Sequence, residues 1–134
     1  MSDTYLSILK AVISNLKNTS AVTNLVSTRI YSNVPQKETF PYISIEVDSA
    51  DYSTKTFTGM EHTVQVNIYS RNKSPKQVGD IRKAVYDALN RNESGLTLDS
   101  GVLSHIHYDG IGSVFKDTDG VTWTGIIQFR AIVT

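Results

Sequence analysis

The 134-residue sequence predicts an α+β domain: a mixed, mainly antiparallel sheet of about four to five strands with two main helices packed on it. Three observations carry this expectation. Two segments repeat apolar residues at helical spacing, and several others alternate apolar with polar residues. An Asp-Gly pair, the strongest short hairpin signal, joins two of the alternating segments. The length is that of one domain, and no linker, low-complexity tract or internal repeat divides it, so residues 1–134 read as a single unit.

The first helix is expected from about Asp3 to Lys17, with Leu6, Leu9, Val12, Ile13 and Leu16 as its apolar stripe and Ser2 or Asp3 as its cap. Asn18-Thr19-Ser20 breaks it, and a short helical turn around Val22 to Val26 comes next. Asn33 to Pro41 is a loop. Tyr42 to Asp48 then alternates, with Ile43, Ile45 and Val47 on one face, which is the pattern of a half-buried strand. His62 to Ser70 repeats it with Val64, Val66 and Ile68. The intervening Ser49–Met60 segment is too long for a tight turn and is expected to be a protruding hairpin or mobile loop.

Ser74-Pro75-Lys76-Gln77 predicts a helix start, with Ser74 as N-cap, Pro75 in the first helical position and Gln77 completing a capping box. Val78, Ile81, Val85 and Leu89 form the buried stripe of that helix, which runs to about Arg91. Leu96 to Leu98 suits a short strand. Val102 to Lys116 and Val121 to Val133 flank Asp117-Thr118-Asp119-Gly120 as a hairpin. Trp123, Ile127, Phe129, Ala131 and Val133 share one parity and are expected to face inward, while Gly110 and Gly112 mark a bulge or bend.

Composition narrows the function. Lys+Arg and Asp+Glu are 13 each, so formal charge is zero. That balance argues against a dedicated nucleic-acid or anionic-membrane binder. Cysteine is absent, which excludes disulfides and thiolate metal sites. No apolar run approaches the ~20 residues that span a bilayer. Met1-Ser2-Asp3-Thr4 lacks the features of a secretory leader, so a cytosol-like compartment is expected.

Catalytic and metal-binding patterns are weak. His105 and His107 lie on one face of a strand with Asp109 nearby, but zinc needs three or four ligands and no further His or Cys stands close in sequence. His62, beside Glu61, reads as a strand-edge residue. Asp117-Thr118-Asp119-Gly120 resembles the opening of an EF-hand loop without its later ligands, and turn chemistry accounts for it. Gly110-Ile111-Gly112-Ser113 is neither a dinucleotide fingerprint nor a nucleophile elbow. No cofactor is implied.

Interaction signals are stronger. Arg71, Lys73, Lys76, Arg82, Lys83 and Arg91 make the second helix and its approach basic, with Asp80–Lys83 and Asp87–Arg91 as expected intrahelical pairs. The region reads as a salt-bridged solvent face, or as a charged seam toward a neighbouring subunit or passing DNA. Tyr52, Lys55 and Phe57 place aromatic and basic side chains in the Ser49–Met60 segment, a composition found at interfaces. With Asp117 and Asp119 of the hairpin turn, the candidate subunit or tube interface comprises Tyr52, Lys55, Phe57, Arg71, Lys73, Lys76, Lys83, Asp117 and Asp119.

An ordered set of short signals runs the length of the chain. After the leading helix come Arg29-Ile30-Tyr31 with Val34-Pro35, then Phe40-Pro41-Tyr42-Ile43-Ser44-Ile45, then Gly59-Met60-Glu61-His62 before Val64-Gln65-Val66-Asn67-Ile68-Tyr69-Ser70. Ala84-Val85-Tyr86-Asp87-Ala88-Leu89 and Gln128-Phe129-Arg130-Ala131 complete it. In this order and at this length, the chain resembles the phage tail-completion proteins, the tail terminators of long-tailed phages and gene-transfer particles. The resemblance implies a structural virion protein with no catalytic residues. It implies a ring, usually a hexamer, on the head-proximal end of the tail tube, assembled in the host cytoplasm. Its partners would be further copies of itself, the tube protein and the head connector or stopper, with DNA passing through the lumen. A head-closure protein of the same joint and a small ligand-binding α+β domain are the competing expectations.

Overall fold

The computed structural model describes residues 4–32, 34–35, 38–51 and 59–134, with the side chain of Ile111 also outside the description. The expected Ser2 or Asp3 cap and the Tyr52, Lys55 and Phe57 side chains lie outside the described residues. Among the described residues, three α-helices, α1 (Tyr5–Lys17), α2 (Ser20–Val26) and α3 (Lys76–Leu89), accompany five strands: β1 (Ile30–Tyr31), β2 (Tyr42–Asp51), β3 (Met60–Ser70), β4 (Leu103–Lys116) and β5 (Trp123–Val133). The sheet order is β1-β2-β3-β5-β4, antiparallel throughout except for the β1–β2 pair. The fold is thus the expected α+β class with a mixed, mainly antiparallel sheet.

Alternation builds the two-layer arrangement. On the helix side of the sheet, Ile43, Ile45, Val64, Val66, Ile68, Ile127, Phe129 and Ala131 are buried. They meet Ile8, Val12 and Leu16 of α1 and Val78, Ile81, Val85 and Leu89 of α3 in one core. The intervening residues, among them Glu46, Gln65, Gln128 and Arg130, lie on the opposite, uncovered face, where Gln128 donates to Gln65 at 2.9 Å across the β5–β3 pair. One apolar and one polar face is the usual economy of an antiparallel sheet.

Several expectations need correction. Leu6 is 55% exposed. Thr4, Ile8, Val12 and Leu16 form the buried row, and Leu6 sits two residues, ~200° of helical rotation, from Ile8. At this first turn Ser7 turns inward instead, donating to the Ser100 carbonyl at 3.0 Å. The capping box does not form. α3 begins at Lys76 with Pro75 at the cap position, Ser74 Oγ accepts from the Lys76 amide at 3.4 Å, and the Gln77 side chain accepts from Ser70 Oγ. No strand forms at Leu96–Leu98: a 3-10 turn at Glu93–Gly95 leads to Leu96, which is buried from a loop.

Both hairpins are as read. The β2–β3 ladder extends to Asp51–Met60, so the Ser49–Met60 segment is a hairpin whose tip lies outside the described residues. The β4–β5 pairing ends at Lys116–Trp123 around the Asp-Gly turn, where Gly120 takes a φ of 73° open to glycine at little cost. The bulge expected at the glycine pair is present. The β4–β5 register slips between Tyr108 and Gly112, and Gly110 has a φ of 76°.

Candidate assembly surfaces

The strand directions place the β2–β3 hairpin tip at one end of the sheet. The β4–β5 turn, the β3–α3 connection and the start of β2 lie at the other. Tyr52, Lys55 and Phe57 lie outside the described residues. Arg71, Lys73, Asp117 and Asp119 belong to the second, and Lys76 and Lys83 stand on the solvent side of α3. The six described candidates are not one site: the fold divides them between one end of the sheet and its helical face.

At the second end, each charge has a local task. Asp119 Oδ1 accepts from the Val121 amide at 2.8 Å and the Thr122 amide at 2.9 Å, and Oδ2 accepts from the Thr122 hydroxyl at 2.7 Å. The Thr122 and Val121 hydrogen bonds hold its carboxyl down to about 2. Asp117 closes the same turn, donating its amide to the Thr122 carbonyl at 2.7 Å and accepting from the Thr124 hydroxyl at 3.4 Å. Turn chemistry accounts for both aspartates. Arg71 donates to Thr122 Oγ1 at 3.3 Å while its guanidinium lies 4.3 Å from the Phe40 ring centroid. Phe40 packs on Tyr42 and Tyr42 on Tyr69, with centroids 5.1 and 4.9 Å apart. Burial raises the pKa of both tyrosines. Arg71, Phe40 and Tyr42 of this ladder, with Pro35, Glu38 and Thr39, line an open cleft of about 560 Å³. Lys73 is exposed beside it in sequence.

On α3, Lys76 pairs with Asp80 at 2.8 Å and Lys83 with Asp87 at 2.9 Å. The expected Asp80–Lys83 and Asp87–Arg91 pairs are replaced by these. Arg91 lies beyond the helix end at Leu89 with a φ of 56°, off the helical spacing that would have brought it to Asp87. The partnering Asp raises each lysine pKa. Such exposed pairs contribute little to stability; they present a patterned charged face. Arg82 turns the other way, reaching the Tyr108 hydroxyl at 3.2 Å.

The histidines also resolve. His105 and His107 share the uncovered sheet face, with ring centroids 4.4 Å apart. Arg130 lies 3.5 Å from Asp109, and Glu93 is 3.9 Å from His105. Among the described residues no three His, Cys, Asp or Glu side chains are grouped to hold a metal. Burial, then the neighbouring His105, lowers the His107 pKa. His62 is the reverse of its strand-edge reading: it is fully buried in a central strand. Its Nε2 lies 2.8 Å from Thr4 Oγ1 and its Nδ1 2.7 Å from Ser49 Oγ, tying the start of α1 to the root of the β2–β3 hairpin. Alternation placed His62 inward with Val64; its chemistry argued it outward, and the two hydroxyls supply the partners a buried imidazole needs.

Three exposed apolar residues lie together near the β4–β5 turn. Val114 and Phe115 near the end of β4 are 41% exposed and Val121 in the adjoining turn 52%. Val114 and Phe115 point to opposite faces of the edge strand, and alternation gives no sign that both are exposed.

A two-layer slab with its charges and exposed apolar residues at its ends, edges and outer helix defines an interaction module of structural type. The chain belongs to the Tail completion protein gp17 family, which it matches over residues 10–134. It is accordingly a structural component of a virion tail. No curated protein matches the sequence. Among solved structures, a chain from the virion of a native gene transfer agent particle is similar at a TM-score of 0.88 and 24% identity, covering 99% of this chain and 98% of that one. That likeness establishes the fold over the whole chain. No helix among the described residues is long and apolar enough to cross a membrane.

Proposed function

We propose that this chain is a tail terminator: copies of it form a ring, a hexamer, on the head-proximal end of the tail tube, stop tube growth and give the head connector its docking surface. The observation that carries this reading is family membership over residues 10–134, together with a fold shared end to end with a component of a gene transfer agent virion. The distribution of surface features supports it. A terminator must meet the tube on one side, the connector on the other and its own copies laterally, and the described candidates fall into two separate groups, one at the β4–β5 turn end and one on α3. The protein acts by contact and not by catalysis, and DNA crosses the ring without sequence-specific binding. The Tyr52, Lys55 and Phe57 hairpin and the Arg71, Lys73, Asp117 and Asp119 end are assigned to the two axial contacts, and Lys76 and Lys83 to the outer or lateral face.

The test separates tails from heads. Tagged protein incubated with terminator-free tails and with DNA-filled heads should be retained by tails first, and by heads only after tails have bound it. Retention by isolated heads alone would replace this reading with a head-closure role.

A further inference from the structure

The two edges of the sheet are each half covered, and the covered halves are complementary. On β2, the first residues are paired by β1, with the Ile43 amide also donating to the Arg29 carbonyl at 2.9 Å. Residues 45–50 have β3 as their strand partner on one side and, among the described residues, no strand on the other. On β4 the arrangement is reversed. Its first half is closed by the turn after α3, where the Arg91 amide donates to the Ile106 carbonyl at 2.9 Å and the Tyr108 amide to Asn90 Oδ1 at 2.8 Å. After the bulge, residues 112–116 pair with β5 alone and are exposed on both faces. An uncovered edge with apolar side chains is a template for strand addition. This one displays Val114 and Phe115, each 41% exposed, and ends in Lys116. The free half of β2 displays Glu46 and Asp48, both exposed and without an ion pair among the described residues.

We propose that the free half of β4 in one copy adds as an antiparallel strand to the free half of β2 in the next, so that the ring is closed by one continuous sheet. The occupant of each edge is a second copy of this chain. The proposal rests on the ring reading above and names the surfaces that join its subunits. Direction fits: β2 and β4 run oppositely, because each of the three intervening pairings is antiparallel. Two copies related by rotation about the ring axis therefore present antiparallel edges. The faces fit: Val114 lies on the helix side of the sheet with Ile45 and Val47, and Phe115 on the opposite side with Glu46 and Asp48. The interface is heterologous, the kind that closes into rings.

Geometry fits as well. Gly112, Ile127, Val66 and Ile45 lie in one row across the sheet, so the two free halves extend from that row toward opposite ends. Bringing them side by side requires each copy to step about five residues, ~17 Å, along the strands. Four strands are ~19 Å wide. That step corresponds to a strand tilt of about 42°, within the range of roughly 35–45° that closed barrels adopt.

The experiment uses two full-length variants and the wild type, assayed by mass photometry in solution and by electron microscopy on tail tubes. Val114→Lys with Phe115→Lys blocks the β4 edge; Glu46→Lys with Asp48→Lys blocks the β2 edge. All four positions are exposed, so melting temperatures should stay near wild type. Each variant alone should lose rings, and an equimolar mixture should recover one intact interface and form heterodimers. Rings formed by either variant as readily as by wild type would overturn the edge assignment, as would a mixture that stays monomeric. A wild type that forms no ring in solution or on tubes would overturn the ring reading itself. Should a variant fail to fold, Ser113→Cys with Asp48→Cys provides the second readout, since the chain has no cysteine of its own. Bifunctional maleimide should then link copies into a ladder on assembled rings, and its failure to do so would reject the edge contact.

Discussion

Trp123 separates what parity implies from what the fold provides. By parity it faces the core, and a fully buried tryptophan replaced by alanine costs about 3–5 kcal/mol. In the structure it is partly buried and packs against the core from the first residue of β5. Its indole Nε1–H is buried without a hydrogen-bond partner among the described residues, and Lys116 Nζ lies 5.6 Å from the ring centroid. Half the usual burial is ~2 kcal/mol. Loss of the cation–π contact adds ~0.5 kcal/mol, and removing an unsatisfied donor returns ~1 kcal/mol. Trp123→Ala should therefore cost about 1–2 kcal/mol. With an unfolding entropy of roughly 0.28 kcal/mol/K for a chain of this length, that is a drop of about 4–7 °C in Tm. Trp123→Phe keeps most of the ring and removes the unpaired donor, so it should melt within about 2 °C of wild type. Paired calorimetric scans check both. A loss above ~3 kcal/mol for alanine would show Trp123 to be fully buried, and a phenylalanine variant as damaged as the alanine one would show that the indole donor is satisfied.

Three further outcomes rest on the geometry. His62→Ala removes a buried ring and both of its hydroxyl contacts, and should cost ~2–4 kcal/mol in urea denaturation; a cost under ~0.5 kcal/mol would mean that the Thr4–His62–Ser49 link is incidental. The Asp119 carboxyl, held down to about 2, stabilises the folded state fully above its unfolded value and loses that contribution as pH falls toward 2. The Tm difference between wild type and Asp119→Ala should thus be constant from pH 7 to about 5 and shrink between pH 4 and 2; a difference independent of pH would contradict the assignment. Tyr52→Ala with Phe57→Ala should weaken assembly on tubes while leaving Tm nearly unchanged, and a large loss of Tm would show those aromatics to be core.

What was legible from the sequence is what depends on local pattern. Alternation in Tyr42–Asp48, His62–Ser70 and Val121–Val133 located three strands, because one face of each is dry and the other wet. Asp-Gly located the second hairpin, and the i, i+3, i+4 stripe of Val78 to Leu89 located α3. What escaped depends on distant neighbours. β1 is two residues long and exists only because β2 accepts it as a parallel partner. The inward face of α1 is set by Ser100 and the sheet, which is why Ser7 is buried and Leu6 is not. His62 needed Thr4, 58 residues away in the chain. The candidate site was legible as residue types and not as an arrangement: Asp117 and Asp119 turned out to hold their own turn, whereas Val114 and Phe115 gave no signal, since exposure of an edge cannot be read from alternation.

The central claim is that this chain forms a ring that ends a tail tube. Cryo-electron microscopy of tubes polymerised from purified tube protein, with and without this chain, tests it most directly. Tubes formed with this chain should be shorter, each closed at its head-proximal end by one sixfold ring of it, with no copies along the shaft. Tubes of unchanged length with bare ends, or this chain distributed along the shaft, would contradict the claim.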